Sequence, residues 1–213
     1  MMPWFLVLFL AVVFGSASAE DEEGLYEPAP PPNAAFVRIL HARPALDVVT
    51  ARVGQMEYGS LRYTEASPYR VVLQGERQVV VSNFMNASLE VVAGSFYTVA
   101  LIPDGDSGRL LIIADTANTS RARALVTLYN FTTIPAVDLK TSDAVTTVLQ
   151  QVAPNSSSSL IVNPITVTLA AFAEEAVIGE VHEVRLERGA AYSVIVTGTP
   201  EAPQTTWVQS TTR

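Results

Sequence analysis

The chain has 213 residues, is 49% hydrophobic, contains no cysteine and carries a formal net charge of −8. Without cysteine there is no thiolate nucleophile, no cysteine-based metal site and no disulfide staple, so the core must come from apolar burial alone; this length can supply it as one large or two small domains. The 13 Lys and Arg are scattered, which excludes nucleic acid and whole-surface polyanion binding, both of which need clustered positive charge.

The first element is the apolar run Pro3–Phe14, followed by Gly15 and small residues ending Ala17-Ser18-Ala19. This is the pattern of a secretory signal peptide, although no Lys or Arg precedes the run. Twelve apolar residues fall short of the roughly 20 that a spanning helix needs, so cleavage between Ala19 and Glu20 is expected, with Ala17 and Ala19 as the small cleavage-site residues. No later segment is long and apolar enough to span a membrane, and a soluble exported chain is expected. Residues 20–34 form an acidic, then proline-rich stretch with Pro28 and Pro30–Pro32, which favours an extended arm without a core.

From Ala35 onward, short apolar runs of period two alternate with Gly, Pro, Asn and Asp, the signature of antiparallel strands. Expected strands in the first half are Phe36–Ala42, Asp47–Val53, Tyr69–Leu73, Gln78–Asn83, Ser88–Val92, Phe96–Ile102 and Leu110–Ala114, with Pro103–Gly108 as a hairpin loop. In the second half they are Ala124–Phe131, Val137–Thr141, Thr146–Val152, Ser159–Val162, Thr166–Phe172, Val181–Leu186, Tyr192–Thr197 and Thr206–Gln209. No helical stripe stands out.

The chain also repeats itself. Ala35–His41 aligns with Ala124–Asn130 at an offset of 89, and Leu89–Val99 aligns with Val184–Val194 at an offset of 95, sharing Gly-x-x-Tyr. The reading is an all-β chain of two tandem β-sandwich domains, residues 35–115 and 123–213, joined by a polar linker at 116–122.

Candidate chemistry is sparse. Of the two histidines, His41 ends a strand where the repeat places Asn130, and His182 begins one between acidic residues; both read as polar strand-end residues. Gly105-Asp106-Ser107 imitates the nucleophile block of SGNH-type hydrolases, but it sits in a turn-rich loop. The only downstream His has Gly179 where the partner Asp should stand. Asp104 and Asp106 lack the further ligands of a calcium loop, and no phosphate loop or dinucleotide fingerprint occurs. No catalytic, cofactor or metal residues are assigned.

Specific residues add a resemblance. Leu25-Tyr26-Glu27-Pro28, Ala35-Phe36-Val37-Arg38, Ala124–Asn130, Leu139-Lys140-Thr141, Asn163–Ala170, Leu186-Glu187-Arg188-Gly189, Tyr192–Gly198 and Trp207-Val208 occur in the order found in the AlgF family, which the chain resembles over nearly its whole mature length. The first half diverges most, across Val49–Arg70. The resemblance implies a periplasmic accessory in alginate O-acetylation, an adaptor without catalysis of its own. It would work beside SGNH-type acetyltransferases and a membrane-bound acetyl-group exporter, with at most weak polysaccharide contact. The arm residues Leu25, Tyr26 and Pro28 are the candidate partner contacts, because an extended proline-rich segment loses little entropy on docking. Two alternatives stay open: a carbohydrate-binding module using Tyr58, Tyr63, Tyr69 and Arg70, and an acetylesterase or transferase using Ser107.

Overall fold

In the computed structural model the described residues are 30–82 and 85–211. The expected signal cleavage at Ala17, Ala19 and Glu20 and the arm residues Leu25, Tyr26 and Pro28 lie outside them. The described residues contain sixteen strands and no helix. Eight belong to the first half: β1 (Ala34–His41), β2 (Val48–Val53), β3 (Met56–Arg62), β4 (Arg70–Leu73), β5 (Gly75–Val81), β6 (Met85–Val91), β7 (Phe96–Asp104) and β8 (Ser107–Asp115). Eight belong to the second: β9 (Ala124–Asn130), β10 (Val137–Thr141), β11 (Thr147–Val152), β12 (Ser156–Val162), β13 (Thr166–Ala173), β14 (Ala176–Arg185), β15 (Ala191–Thr199) and β16 (Ala202–Ser210).

Strand β3 is absent from the expected set. A register shift between Thr50 and Arg52 in the β2–β3 ladder and the left-handed backbone of Gly59 (φ 68°) break its alternation, so Tyr58 and Leu61, three positions apart, both point inward. The loop expected at Pro103–Gly108 is shorter than its composition suggests. Pro103 pairs with Gly108 and Asp104 with Ser107, leaving Gly105-Asp106 as the turn, with Gly105 at φ 55°. Pro103 is tolerated because β1 has already ended opposite Leu101.

Each half is a sandwich of two four-stranded sheets. The first pairs β4-β1-β7-β8 with β3-β2-β5-β6; the second pairs β12-β9-β15-β16 with β11-β10-β13-β14. The orders are the same once each strand is matched to the one eight later, including the parallel pairs β1–β7 and β9–β15. The register agrees with the repeat. Phe36 lies opposite Phe96, and the residues displaced by 89 and 95, Leu125 and Ala191, lie opposite each other.

The Gly-x-x-Tyr repeat has a structural cause. Gly94 (φ 76°) and Gly189 (φ 74°) turn the chain, and the following tyrosine reaches back over the turn. Val92 N donates to Tyr97 Oη at 3.2 Å, and Glu187 N donates to Tyr192 Oη at 3.0 Å. The ring meanwhile fills the sandwich core.

The two sandwiches pack through the sheets that contain β1 and β9, giving four layers. One core holds Val37, Ile39, Val79, Val99 and their neighbours, and another holds Val126, Leu128, Leu139 and Val194. A third lies between the sandwiches, with Leu40, Ala42, Ala100 and Ile102 facing Tyr129, Phe131 and Ile195. Strands β1 and β9 are therefore buried on both faces, which is why Phe36–Leu40 and Leu125–Tyr129 depart from the period-two alternation expected from Ala35 onward.

Candidate functional site

Period two dictates what reaches the junction. In β1 the odd residues Val37 and Ile39 enter the first core, so Arg38 and Leu40 project toward the second sandwich. In β9 the parity is reversed: Val126 and Leu128 face their own core, and Tyr129 faces the junction. Thr98 of β7 and Ser193 of β15 occupy equivalent places in the repeat and face each other's sandwich.

Arg38 is fully buried there. Its Nε donates to Thr98 Oγ1 at 2.8 Å, Nη1 to Ser210 Oγ at 3.2 Å, and Nη2 to Tyr129 Oη at 2.9 Å and Ser193 Oγ at 3.0 Å. The guanidinium also lies over the rings of Tyr69 and Tyr129, 4.7 and 5.3 Å from their centroids. A buried cation is tolerable only when its donors are matched and its charge is balanced. The balance comes through Asp115, at the end of β8. Its Oδ1 accepts from Tyr129 Oη at 2.6 Å, and its Oδ2 from Tyr69 Oη at 2.8 Å and Thr98 Oγ1 at 2.6 Å.

Cation and carboxylate are thus joined through shared hydroxyls. Burial opposes the charge of Arg38, but Tyr129, Tyr69 and Asp115 outweigh it and hold its pKa above the ordinary value. Burial pushes the Tyr129 phenol up to about 12, against the pull of Arg38, and raises Tyr69 as well. Both phenols are neutral donors at pH 7. Beside the network a cleft of about 420 Å³ opens between the sandwiches, bordered by Phe96, Asp115, Asn118, Tyr192 and Ser210. Asn118 closes one side by donating from Nδ2 to the carbonyls of Arg123 and Ala190.

The candidate residues of the sequence lie elsewhere. His41 is buried at the end of β1, where its Nδ1 accepts from Arg43 N (3.3 Å) and its Nε2 donates to Leu46 O (3.0 Å). Its repeat counterpart Asn130 does the same work, donating to Ile134 O and Val152 O and accepting from Thr132. Each organises the loop after its strand. Burial pushes His41 below its ordinary pKa. His182 pairs with Leu169 across the β13–β14 ladder, its ring 6.5 Å from Trp207, whose ring packs against the second core.

Ser107 is exposed beside the Gly105-Asp106 turn, and among the described residues no hydrogen bond joins it to either histidine. The tyrosines weighed for carbohydrate do not form an exposed strip. Tyr58 is buried and donates to Val37 O, Tyr69 is buried on the Arg38 network, and Tyr63 donates to Thr197 Oγ1 of the second sandwich. Arg70 sits 6.0 Å from the Tyr58 ring. Among the described residues no cluster of three metal-ligating side chains occurs.

Arg38 is the residue that function-oriented reading of the sequence overlooked. Its signal is a lone charge inside the apolar run Ala35-Phe36-Val37-Arg38-Ile39-Leu40.

Comparison with known proteins places these features in a family. The family model described as alginate O-acetyl transferase AlgF matches residues 7–193. The alginate biosynthesis protein AlgF of Pseudomonas fluorescens is 28% identical over 94% of this chain and 88% of its own length. That of Azotobacter vinelandii is 28% identical over 96% of this chain and 92% of its own. A solved structure of the C-terminal domain of AlgF from P. aeruginosa is 32% identical, covers 41% of this chain and 98% of its own, and has a TM-score of 0.38. With its family model matched over most of its length, this chain belongs to the AlgF family.

Proposed function

We propose that this protein is a non-catalytic periplasmic accessory of alginate O-acetylation that holds acetylation enzymes together. The observation that carries the reading is how the interior polar groups are used. Arg38, Asp115, Tyr69, Tyr129, Thr98, Ser193 and Ser210 bond to one another and lock two sandwiches into one body. Such a network builds a scaffold; acyl transfer would instead need a nucleophile poised against a free base. Ser107 has no such base, and both ring nitrogens of His41 are engaged with backbone. The family's description names a transferase, and this reading takes that name to denote the process served.

Partners under this reading are the SGNH-type acetyltransferases and the membrane-bound acetyl exporter of the alginate machinery, reached after export by the N-terminal signal. Two assays test it. In a deletion strain complemented with Ser107→Ala, polymer acetylation is expected to equal that of wild type; its loss would show a catalytic serine. The purified mature chain is expected to bind a purified SGNH-type acetyltransferase and to leave alginate in the supernatant on co-sedimentation. The reverse pattern would favour the carbohydrate module.

A further inference from the structure

Between Ala144 and Ala173 the chain has no Asp, Glu, Lys, Arg or His, in a protein of net charge −8. This stretch forms β11, β12 and β13, and it places an uncharged strand, β12, at the edge of the β12-β9-β15-β16 sheet. An exposed edge offers unpaired backbone groups to any extended chain, and proteins normally blunt it with charge, proline, bulges or brevity. The other edges show such devices. In the first sandwich β4, the counterpart of β12, is four residues long and begins with Arg70, while β3 carries Glu57 and Arg62. Strand β11 is interrupted by two register shifts. Strand β16 contains Pro203 and is covered by β14, where Thr205 Oγ1 bonds to both N and O of Glu180.

Strand β12 has none of them. It runs seven residues, Ser156–Val162, in unbroken register with β9, and among the described residues no ladder or bridge joins its other side. Its free groups can be assigned. Leu125 N and Phe131 N point toward β15, donating to Ala190 O and Val196 O. By alternation the even residues of β9 face β12 and engage Ser156, Ser158, Leu160 and Val162. Ser157, Ser159 and Ile161 therefore direct N–H and C=O away from the sheet. Leu160, 43% exposed, stands beside them.

Resting on the adaptor reading, we propose that β12 is a strand-addition site, taking an extended segment of another protein as a fifth strand of its sheet. The occupant is an uncharged strand with basic flanks and an apolar residue set beside Leu160. Charge selects it over a second copy of this chain, since two molecules of −8 repel.

The test uses the mature chain, with a purified SGNH-type acetyltransferase as probe. On complex formation, amide exchange at Ser157, Ser159 and Ile161 is expected to slow. Ser157→Pro removes an outward N–H without touching the ladder, and Leu160→Lys adds the missing edge charge. Each is expected to weaken binding at least tenfold while keeping the wild-type unfolding midpoint. Equal affinity in both folded variants, with unchanged exchange at the three amides, would overturn the edge proposal and leave the adaptor reading standing. Failure of the wild-type chain to bind would overturn the adaptor reading, and the edge proposal with it. A dimer in light scattering that becomes monomeric in either variant would show the edge to be a self-interface, which also overturns the heterologous partner.

Discussion

Replacing Arg38 with methionine keeps most of the side-chain volume and removes the charge and four hydrogen bonds. Each bond to a charged group contributes about 1.5–3 kcal/mol, but such figures do not add within one network. The governing quantity is the carboxylate left without its cation, for which breaking a buried pair costs about 3–5 kcal/mol. Asp115 keeps three hydroxyl donors and is only partly buried. Ser193 and Ser210, already 3.3 Å apart, can also satisfy each other. The expected loss is therefore at the lower end, about 3 kcal/mol. Urea unfolding followed by two probes measures it. In the chain from Glu20 onward Trp207 is the sole tryptophan and reports the second sandwich, whereas far-ultraviolet dichroism reports both. The two curves are expected to coincide in wild type and to separate in Arg38→Met, because the mutation cuts the junction and spares both sandwich cores. A double-mutant cycle with Asp115→Asn should show coupling of at least about 1 kcal/mol. A loss below about 1 kcal/mol with coincident curves would refute the network as the lock between sandwiches.

Burial lowers the pKa of His41, so the neutral ring is favoured in the folded state; its contribution is present above the unfolded histidine value and is lost as pH falls through the folded one. Urea midpoints at pH 7.5 and 5 should therefore show acid destabilisation, and His41→Asn, which installs the repeat counterpart, should flatten it. Tyr97→Phe and Tyr192→Phe each leave a turn N–H without its acceptor. Tyr97→Phe should cost about 1 kcal/mol and Tyr192→Phe more, because the Tyr192 hydroxyl also donates to Arg185 O at 3.0 Å; thermal unfolding compares them. Gly179→Ala would set a Cβ 2.6 Å from Thr205 Oγ1 and 2.9 Å from Thr205 N at φ 69°. A loss of about 2 kcal/mol or more is expected in calorimetry, with Gly105→Ala, which meets nothing within 4 Å, losing less.

Alternating apolar residues and turn chemistry were enough to read an all-β chain, most of its strands and its duplication, because side-chain period and glycine turns are local properties. The repeat offsets of 89 and 95 agree with the register, since the pairs in β1–β7 and β9–β15 are counterparts of each other, but which strands pair was not legible from them. Strand β3 escaped because a bulge and Gly59 break its period. His41 was legible as a strand-end residue through Asn130, since both answer the same local need of a loop. The meeting of Arg38 with Asp115, 77 positions away, and with Ser210 was not legible. Nothing local says which outer face of a sandwich is covered by another sheet.

The same divide holds for β12. Its lack of charge is plain in the sequence, but a free edge is a property of sheet order, which pairing over long separations decides. The sequence by itself determined most of the elements, their repetition and the compositional gap at Ala144–Ala173, because each can be read along the chain without knowing which strands meet. Only the tertiary structure decided that an arginine in an apolar strand would be the buried tie between two sandwiches, and that the uncharged strand would stand at a sheet edge with one side free. A strand's two faces and two edges look alike until the rest of the chain has chosen which of them to cover.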